Sequence, residues 1–503
     1  MIKKCLLYSA MATMGIIMIA GCSSTDSSTG SYQSNKVYKQ ALYSEMAQNA
    51  MAYEGPARNP VIVIHGFLGA RLQNVKTGEN VWGDFRGIEL LEGYSNKNLQ
   101  EFSHPMGLNK PLKELKDNVT AVSLLSNFNV TIMGIKFNLD AYNKLIEILD
   151  NAGYVSESQP LPEGKNFYSQ FTFYYDWRRD LSENSMRLHD FIQLRRTYLQ
   201  GKYKKLYGIE NYDVQFDIVS HSMGGLLSRY YMRYGDQDLP ADGSLPKLNW
   251  SGSKYIDKLI VIATPNAGYL DTCLELVNGL KADPRMPVYP PAVIGTWPTY
   301  YQMLPLTSTR SVVYADDQNG KPVDVFDPQV WIDMNWGLAD PKHDPTLKIL
   351  LPNVKTAEER RKIALDHLTK CLKRAKQFTE AMREYGEPPD DVALVLFLGD
   401  AVETRRVAEV DRKTGKLTVT KFEAGDGKVL ASSARMDERE GREWTPFVQS
   451  PIKWQAVIHL QDAHMGITES YSFSDNIAYY LTNFPTKKQE DRKEYLDYMA
   501  KNK

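Results

Sequence analysis

The sequence has 503 residues, enough for roughly two to four ordinary domains. Apolar residues make up 43% and charged residues 24%, which excludes a disordered or fibrous chain. The 60 basic residues are balanced by 61 acidic ones, so no basic excess favours nucleic-acid binding. The four cysteines are too few for a disulfide-built scaffold.

The N-terminus carries a targeting signal rather than part of the fold. A positive start, Lys3 and Lys4, is followed by a mostly apolar run at 5–20, which is shorter than the about 20 residues of a membrane-spanning helix. The run ends in IAGC at 19–22, which resembles the end of a bacterial lipoprotein signal. That resemblance implies that residues 1–21 are removed and that Cys22 becomes a lipid-modified N-terminus.

The segment after the cysteine is a flexible tether in this interpretation. Residues 22–55 begin rich in Ser, Thr and Gly and lack strong periodicity. Several acyl chains on one cysteine would hold the protein firmly on a membrane. Ser23 after the cysteine is similar to outer-membrane sorting signals, so we expect a lipid-anchored protein of the bacterial cell envelope, at the outer membrane.

Beyond residue 56 the chain alternates apolar runs with helical patterns. The run VIVI at 61–64 is β-branched and unbroken, which suits a strand covered on both faces of a parallel sheet. Similar runs lie at 171–175, 214–219, 259–263, 392–398 and 456–460. Helical patterns between them, such as 140–149 and 182–200, predict an α/β fold with right-handed crossovers. We therefore expect one α/β domain over 56–503.

Residues 219–226, VSHSMGGL, follow a predicted strand and open a predicted helix. The segment resembles the nucleophile elbow of α/β-hydrolases, in which a serine sits at a strained turn above the sheet. Ser222 is then the nucleophile, and Gly224 leaves room for the helix to pack against the strand. Ser220 occupies the position of the elbow's usual first glycine.

An activated serine also needs an oxyanion hole. The segment HGFLG at 65–69 follows the first strong strand and resembles the His-Gly turn of many lipases. These resemblances imply that the backbone amides of Phe67 and Met223 donate hydrogen bonds to the oxyanion. His65 is then a residue that orients the turn and not the catalytic base.

The base should follow the serine in the chain. His343 and His367 fit solvated positions, in a polar loop and in a long helix over 356–385. His459 lies inside the predicted strand 456–460, whereas His464 follows that strand in a loop. A loop past the carboxyl end of the last strand suits a catalytic base, so we favour His464 over His459.

Sequence position alone does not decide which carboxylate is the catalytic acid. Asp400 directly follows the predicted strand 392–398, and Asp426 lies in GDGKV at 425–429 after a predicted hairpin around 413–416. Asp462 is a third, weaker candidate in the same loop as His464.

Several segments together resemble the lecithin:cholesterol acyltransferase family of α/β-hydrolases. The list is VIVIHGFLG at 61–69, WGD at 82–84, YDWR at 175–178, ATPNAG at 263–268, WPTY at 297–300 with Leu304-Pro305, and GDGKV at 425–429. Ser220, Ala263 and Lys428 depart from the family pattern. The resemblance selects Asp426 as the acid and implies a Ser222–His464–Asp426 triad.

The family resemblance implies ester chemistry on lipids, with lid segments inserted in the fold. The cap candidates lie near 83–130 and 269–390, and the second holds Tyr289, Trp297, Tyr300, Tyr301 and Met303. These side chains fit either the core of the lid or a cleft for a fatty chain. The YDWR segment favours a structural ion pair, Asp176 with Arg178 or Arg229, over catalysis.

The leading interpretation is a serine esterase or lipase that hydrolyses lipid esters through an acyl-enzyme on Ser222. Transfer of the acyl chain to an alcohol is an alternative outcome, and a peptidase or amidase with the same triad is a rival. A non-catalytic lipid-binding surface lipoprotein is the rival from another class. No metal-binding or phosphate-loop motif was found, so we expect no cofactor and no metal. The expected partners are a lipid substrate and the membrane, and the sequence does not define an oligomeric state.

Overall fold

The structure is a computed structural model that describes residues 48, 52–83, 93–125, 129–132, 135–138, 140–281, 287–438 and 450–501. The signal 1–21, the lipidation site Cys22 and most of the tether 22–55 lie outside these residues. The chain divides into the units Met1–Asn49 and Ala50–Lys503, and the second holds every element described below.

A six-stranded sheet forms the centre, and each of its pairings is parallel. Its strands correspond one for one to the six predicted apolar runs. In spatial order they are β14 (Ala456–Leu460), β11 (Ala393–Gly399), β9 (Ile256–Ile262), β8 (Phe216–His221), β1 (Val61–Ile64) and β7 (Gln170–Phe173). This sheet confirms the predicted α/β-hydrolase fold.

Strand β9 begins three residues before its predicted start. The prediction followed the apolar run, and two charged residues interrupt that run inside the strand. Asp257 accepts a hydrogen bond from Arg492 at 2.9 Å, and Lys258 lies 3.5 Å from Asp217. Paired in this way, the charges remain buried in the sheet. The apolar run alone therefore predicted a strand that is too short.

Smaller sheets flank the central one. Strand β2 (Ala70–Asn74) pairs with β3 (Asn80–Trp82) and β4 (Val119–Leu124), and β5 (Asn129–Ile132) pairs with β6 (Ile135–Asn138). Strand β12 (Val402–Val410) pairs with β10 (Val312–Tyr314) and, in an antiparallel hairpin, with β13 (Leu417–Gly425). The hairpin predicted around 413–416 is thus present, and it leads directly to the GDGKV turn.

Helices cover the sheet and occupy the two predicted cap segments. They are α1 (Asn96–Phe102), α2 (Asp140–Asn151), α3 (Leu181–Tyr207), α4 (Met223–Tyr234), α5 (Leu270–Asn278), α6 (Pro291–Ile294), α7 (Pro298–Tyr301), α8 (Pro328–Met334), α9 (Asp344–Leu350), α10 (Ala357–Arg383), α11 (Ala431–Arg435), α12 (Tyr471–Thr482) and α13 (Lys487–Lys501). The predicted capping box starts α10, where the Thr356 hydroxyl accepts from the Glu359 amide at 3.2 Å. Among the described residues, no helix is both long and apolar enough to cross a membrane.

The aromatic residues of the second cap segment form its core. Phe102 and Trp177 pack edge-to-face against Trp297, and Tyr300 stacks on Phe67 with ring centroids 4.8 Å apart. Phe102, Trp177, Trp297 and Tyr300 are fully buried, and Phe67 is half-buried. These contacts favour a packed core over an open cleft, and the assignment of the segment as a lid stays a prediction.

The solvated position expected for His367 is wrong. The side chain is fully buried in α10, and one ring nitrogen lies 2.9 Å from the Thr296 carbonyl oxygen. The helix was predicted correctly, but its histidine faces the cap instead of solvent. Cys371, on the same helix, and Cys273 are both buried free thiols.

Candidate active site

Ser222 sits at a strained turn between β8 and α4. Its backbone φ of 53° and ψ of −125° lie in a region that side-chain-bearing residues rarely adopt. A Cβ on Gly224 would lie 2.5 Å from the His65 carbonyl oxygen, and one on Gly225 would lie 1.9 Å from the Thr264 hydroxyl. Only glycine fits at both positions, which is the packing expected of a nucleophile elbow.

The turn after β9 holds the elbow from the opposite side. The Thr264 hydroxyl donates to the Ser222 carbonyl oxygen at 2.7 Å, and the Ser222 amide donates to the Ile262 carbonyl oxygen at 2.7 Å. Ala263 has a φ of 51°, a conformation that glycine adopts without strain. The ATPNAG segment therefore shapes the backbone under the serine.

The structure brings Ser222, His464 and Asp426 together. The Ser222 Oγ lies 3.0 Å from His464 Nε2, and His464 Nδ1 lies 2.8 Å from Asp426 Oδ2. His464 and Asp426 are almost fully buried. This is the order of contacts required for a base that takes the serine proton while a carboxylate fixes its tautomer.

Asp426 is held in place by its own turn. Its Oδ1 accepts hydrogen bonds from the Lys428 and Val429 amides at 2.9 and 2.6 Å, which leaves Oδ2 for His464. The His464 amide also donates to the Asp426 carbonyl oxygen at 2.9 Å. The turn therefore fixes the carboxylate and the base relative to each other.

The alternative residues Asp400 and His459 form a separate pair. Asp400 Oδ2 lies 2.6 Å from His459 Nδ1, and both side chains are more than one-third exposed. The structure places neither residue against Ser222. Asp462 is half-buried in the loop before His464, which takes Asp426 and not Asp462 as its partner.

The proposed oxyanion residues border the serine on two sides. Met223 is the first residue of α4, where amides lack partners within the helix. The turn 65–69 approaches so closely that a Cβ on Gly66 would lie 2.8 Å from the Ser222 Cβ. Phe67 follows at once and lines the same cavity as Ser222.

Burial keeps His65 and His221 out of the role of base. Both are buried, and burial lowers the pKa of His65 to about 4 and that of His221 to about 3. His65 stacks on Tyr175, with ring centroids 4.2 Å apart, and its Nε2 accepts from the Tyr175 amide at 3.3 Å. His65 therefore orients the turn, in agreement with its predicted place.

A cavity opens above Ser222. Most of its lining is apolar or aromatic, which suits an acyl chain. Its lining residues are Gly66, Phe67, Leu68, Gly69, Trp82, Leu125, Tyr142, His221, Ser222, Tyr269, Glu275, Leu280, Lys428, Val429, His464 and Met465.

A buried charged cluster forms the polar end of this cavity. Lys428 Nζ lies 2.9 Å from Asp271 and 3.7 Å from Glu275, and Asp271 also accepts from Arg405 at 2.8 Å. Burial raises the pKa of Glu275 to about 8, although Lys428 opposes the shift. Tyr300 hydrogen-bonds to Glu275. The Lys428 departure from the family pattern therefore has buried partners on α5.

Sequence reasoning missed several residues of this site. Tyr142, Glu275 and Asp271 stand in predicted helices or insertions and carried no motif. The ion pair of the YDWR segment was found: Asp176 binds Arg178 through two hydrogen bonds of 3.0 and 2.8 Å, while Arg229 donates to Asn266 at 2.7 Å. Among the described residues, no group of three or more His, Cys, Asp or Glu side chains is placed to hold a metal ion.

Comparison with known proteins agrees with this picture. The lecithin:cholesterol acyltransferase family model matches residues 95–326. The resemblance to that family is confirmed. The matched segment contains Ser222 and ends before Asp426 and His464, and it supports acyl-ester hydrolysis or acyl transfer on lipids as the reaction class. A search of curated protein sequences found no significant match.

Among solved structures, the chain is similar to the Tle4–Tli4 complex, with a TM-score of 0.56 and 14% identity over 86% of this chain and 99% of that one. Its similarity to lipase 1 from Pelosinus fermentans has a TM-score of 0.32, with 11% identity over 85% of this chain and 99% of that one. EstA from Clostridium botulinum gives 0.30 and 13% over 87% of this chain and 90% of that one. At these identities the first similarity concerns the fold alone, and the other two carry no further argument.

Proposed function

We propose that the protein is a serine esterase or lipase that cleaves lipid esters through an acyl-enzyme on Ser222. The observation that carries the proposal is the continuous contact from Ser222 to His464 to Asp426 at the base of an apolar cavity. The family match supports the reaction class.

The reaction starts when the Ser222 Oγ attacks the ester carbonyl carbon and His464 Nε2 takes the hydroxyl proton. Asp426 holds the imidazole and stabilises its positive charge. The carbonyl oxygen becomes an oxyanion between the Phe67 and Met223 amides. When this intermediate collapses, the C–O bond to the alcohol breaks and His464 returns the proton to the departing alkoxide.

The acyl-enzyme is then released in a second half-reaction. His464 takes a proton from water, the resulting hydroxide attacks the acyl carbon, and Ser222 leaves with the proton from His464. An alcohol in place of water gives acyl transfer by the same steps.

The test is turnover of a chromogenic ester by the wild type, Ser222→Ala and the matched control Ser228→Ala. Ser228 lies on α4, and its hydroxyl bonds to Ser220 and to the Gly225 carbonyl instead of to His464. We expect Ser222→Ala to lose turnover and Ser228→Ala to keep it. An unchanged rate in Ser222→Ala would refute the assignment.

Product analysis separates the possible outcomes. Short- and long-chain esters, each with and without an added alcohol, distinguish esterase, lipase and acyltransferase. Parallel reactions with matched amides test the peptidase rival. If the wild type binds lipid vesicles and turns over none of these substrates, the non-catalytic lipid-binding interpretation replaces ours.

We also propose that Cys22 anchors the protein to the cell envelope through lipid. The proposal rests on the IAGC segment and the polar stretch after it. Cys22→Ala should move the full-length protein from the membrane fraction to the soluble fraction, whereas Cys371→Ala should leave its distribution unchanged. A membrane-bound Cys22→Ala protein would contradict the proposal.

A further inference from the structure

A chain of hydrogen bonds runs behind the proposed triad. The Gly66 amide donates to the Tyr142 hydroxyl at 2.7 Å, and that hydroxyl lies 3.0 Å from His221 Nδ1. At its other end, His221 Nε2 lies 3.2 Å from the His464 carbonyl oxygen. The chain therefore joins the oxyanion turn, the residue before the nucleophile and the backbone of the base.

The chemistry of donors and acceptors fixes the direction of each bond. The Tyr142 oxygen accepts from Gly66, so its single hydrogen is available to His221 Nδ1. The His464 carbonyl oxygen can only accept, so the hydrogen of the neutral His221 ring lies on Nε2 and Nδ1 accepts from Tyr142. From Nε2 it is donated to the His464 carbonyl, which has no other role in the triad. One tautomer of His221 satisfies the whole chain.

Burial maintains this state of protonation. Tyr142 and His221 are both buried. Burial raises the pKa of the Tyr142 phenol and lowers that of His221 to about 3, so both groups stay neutral over the ordinary working range of an enzyme. A buried histidine that cannot act as a base here serves as a fixed connector.

We propose that Tyr142 and His221 are positioning residues that hold the oxyanion turn and the base loop in register around Ser222. The inference rests on the proposed function and deepens it. Neither side chain exchanges a proton with substrate in this account. Tyr142 acts through the Gly66 amide, next to the Phe67 donor, and His221 acts through the His464 carbonyl.

The kinetic test is Tyr142→Phe, which removes only the hydroxyl. The Gly66 amide then loses its partner and the turn can move away from the oxyanion. We expect kcat to fall about 10- to 100-fold with KM within about threefold, because misplacement by even 1 Å is costly in the transition state. The matched control is Tyr230→Phe, which loses a hydrogen bond to the Gln237 carbonyl beyond the C-terminal end of α4 and should retain kcat.

A double-mutant cycle tests whether the two residues act as one unit. His221→Phe removes both of its hydrogen bonds and leaves the Tyr142 hydroxyl without the acceptor that orients it, so adding Tyr142→Phe should lower kcat by a smaller factor than it does in the wild type. Fully multiplicative effects, or a Tyr142→Phe enzyme with wild-type kcat, would overturn the proposal. Thermal unfolding of each variant identifies any that fails to fold, and Tyr142→Phe alone then carries the kinetic test.

A measurement without turnover separates this inference from the proposed function. In Ser222→Ala protein with ¹⁵N-labelled histidine, the His221 signals should report a neutral ring with its hydrogen on Nε2 from about pH 5 to pH 8. Titration near the ordinary pKa of about 6.5, or a hydrogen on Nδ1, would refute the chain. The predicted His221 spectrum, together with a wild type that cleaves no ester, would instead refute only the esterase.

Discussion

Two His–Asp pairs stand at the carboxyl edge of the same sheet, and they differ in depth and in neighbours. His464 and Asp426 are almost fully buried and contact Ser222, whereas His459 and Asp400 are more than one-third exposed and contact each other. Their Nδ1–Oδ2 distances, 2.8 and 2.6 Å, are nearly the same. The geometry of the pair itself therefore does not identify a catalytic dyad.

The surroundings distinguish the two pairs. The Asp426 carboxylate is fixed by two backbone amides of its own turn, so one oxygen is left for the base. His464 in turn offers its second nitrogen to the serine. An exposed pair such as His459–Asp400 is worth little, because water competes for both partners.

The largest expected difference in activity comes from replacing each of the two histidines by alanine. His464→Ala removes the proposed base and should lower kcat about 10⁴-fold or more. His459→Ala should leave kcat within about threefold, since an exposed pair contributes at most about 1 kcal/mol. Initial rates on a chromogenic ester measure both. A larger loss in His459→Ala would reverse the comparison.

The acids provide the next test. Asp426→Asn should lower kcat about 10³- to 10⁴-fold, because an amide in that place favours the wrong tautomer of His464. Asp400→Asn should have little effect on the same assay. Loss of activity in Asp400→Asn alone would show that the acid was wrongly assigned.

Burial of a third histidine, His367, predicts how the free energy of unfolding depends on pH. Buried His367 is held neutral, with its pKa lowered to about 4 by burial, while an unfolded histidine titrates near 6.5. The unfolded chain therefore binds more protons between these values, so this contribution to stability is complete above pH about 6.5 and is lost as pH falls toward about 4.

The measurement is urea unfolding at pH 7 and at pH 5. Between these pH values, His367→Gln should lose about 2 kcal/mol less stability than the wild type. If the free energies of unfolding of wild type and His367→Gln fell equally, the buried neutral state would be wrong.

The smallest expected effect concerns the residue before the elbow. The Ser220 hydroxyl donates to the Ile260 carbonyl at 3.3 Å and accepts from Ser228 at 2.9 Å. Ser220→Gly restores the usual elbow residue and should cost about 1 kcal/mol of stability with kcat within about twofold. Thermal unfolding and ester turnover check this pair of values. A tenfold loss of kcat would mean that Ser220 shapes the site as His464 and Asp426 do.

Much of the fold was predictable because a parallel sheet covered on both faces requires uninterrupted apolar strands. The run at 61–64 became β1 with the same bounds, and 456–460 became β14. The start of β9 was missed, because Asp257 and Lys258 are buried through partners far along the chain. Sequence pattern carries no signal for such a pairing.

The same limit applies to the site. Ser222 was identifiable because an elbow imposes local glycines, and His464 because it follows the last strand. Tyr142 and Glu275 were not identifiable, because their roles depend on contacts with Gly66 and Lys428 that only the folded chain creates. The predicted exposure of His367 was wrong, because helix periodicity carries no information about which other segment covers the polar face of the helix.

The most direct test of the central claim is covalent phosphonylation of the proposed nucleophile, in which the activated serine displaces fluoride from a fluorophosphonate. The wild type is treated with a fluorophosphonate that carries an alkyl chain, digested and analysed by mass spectrometry. The account predicts a single covalent adduct on Ser222, formed slowly in His464→Ala and at the normal rate in His459→Ala. An adduct on another residue, or an unlabelled Ser222 in a protein that still cleaves esters, would contradict it.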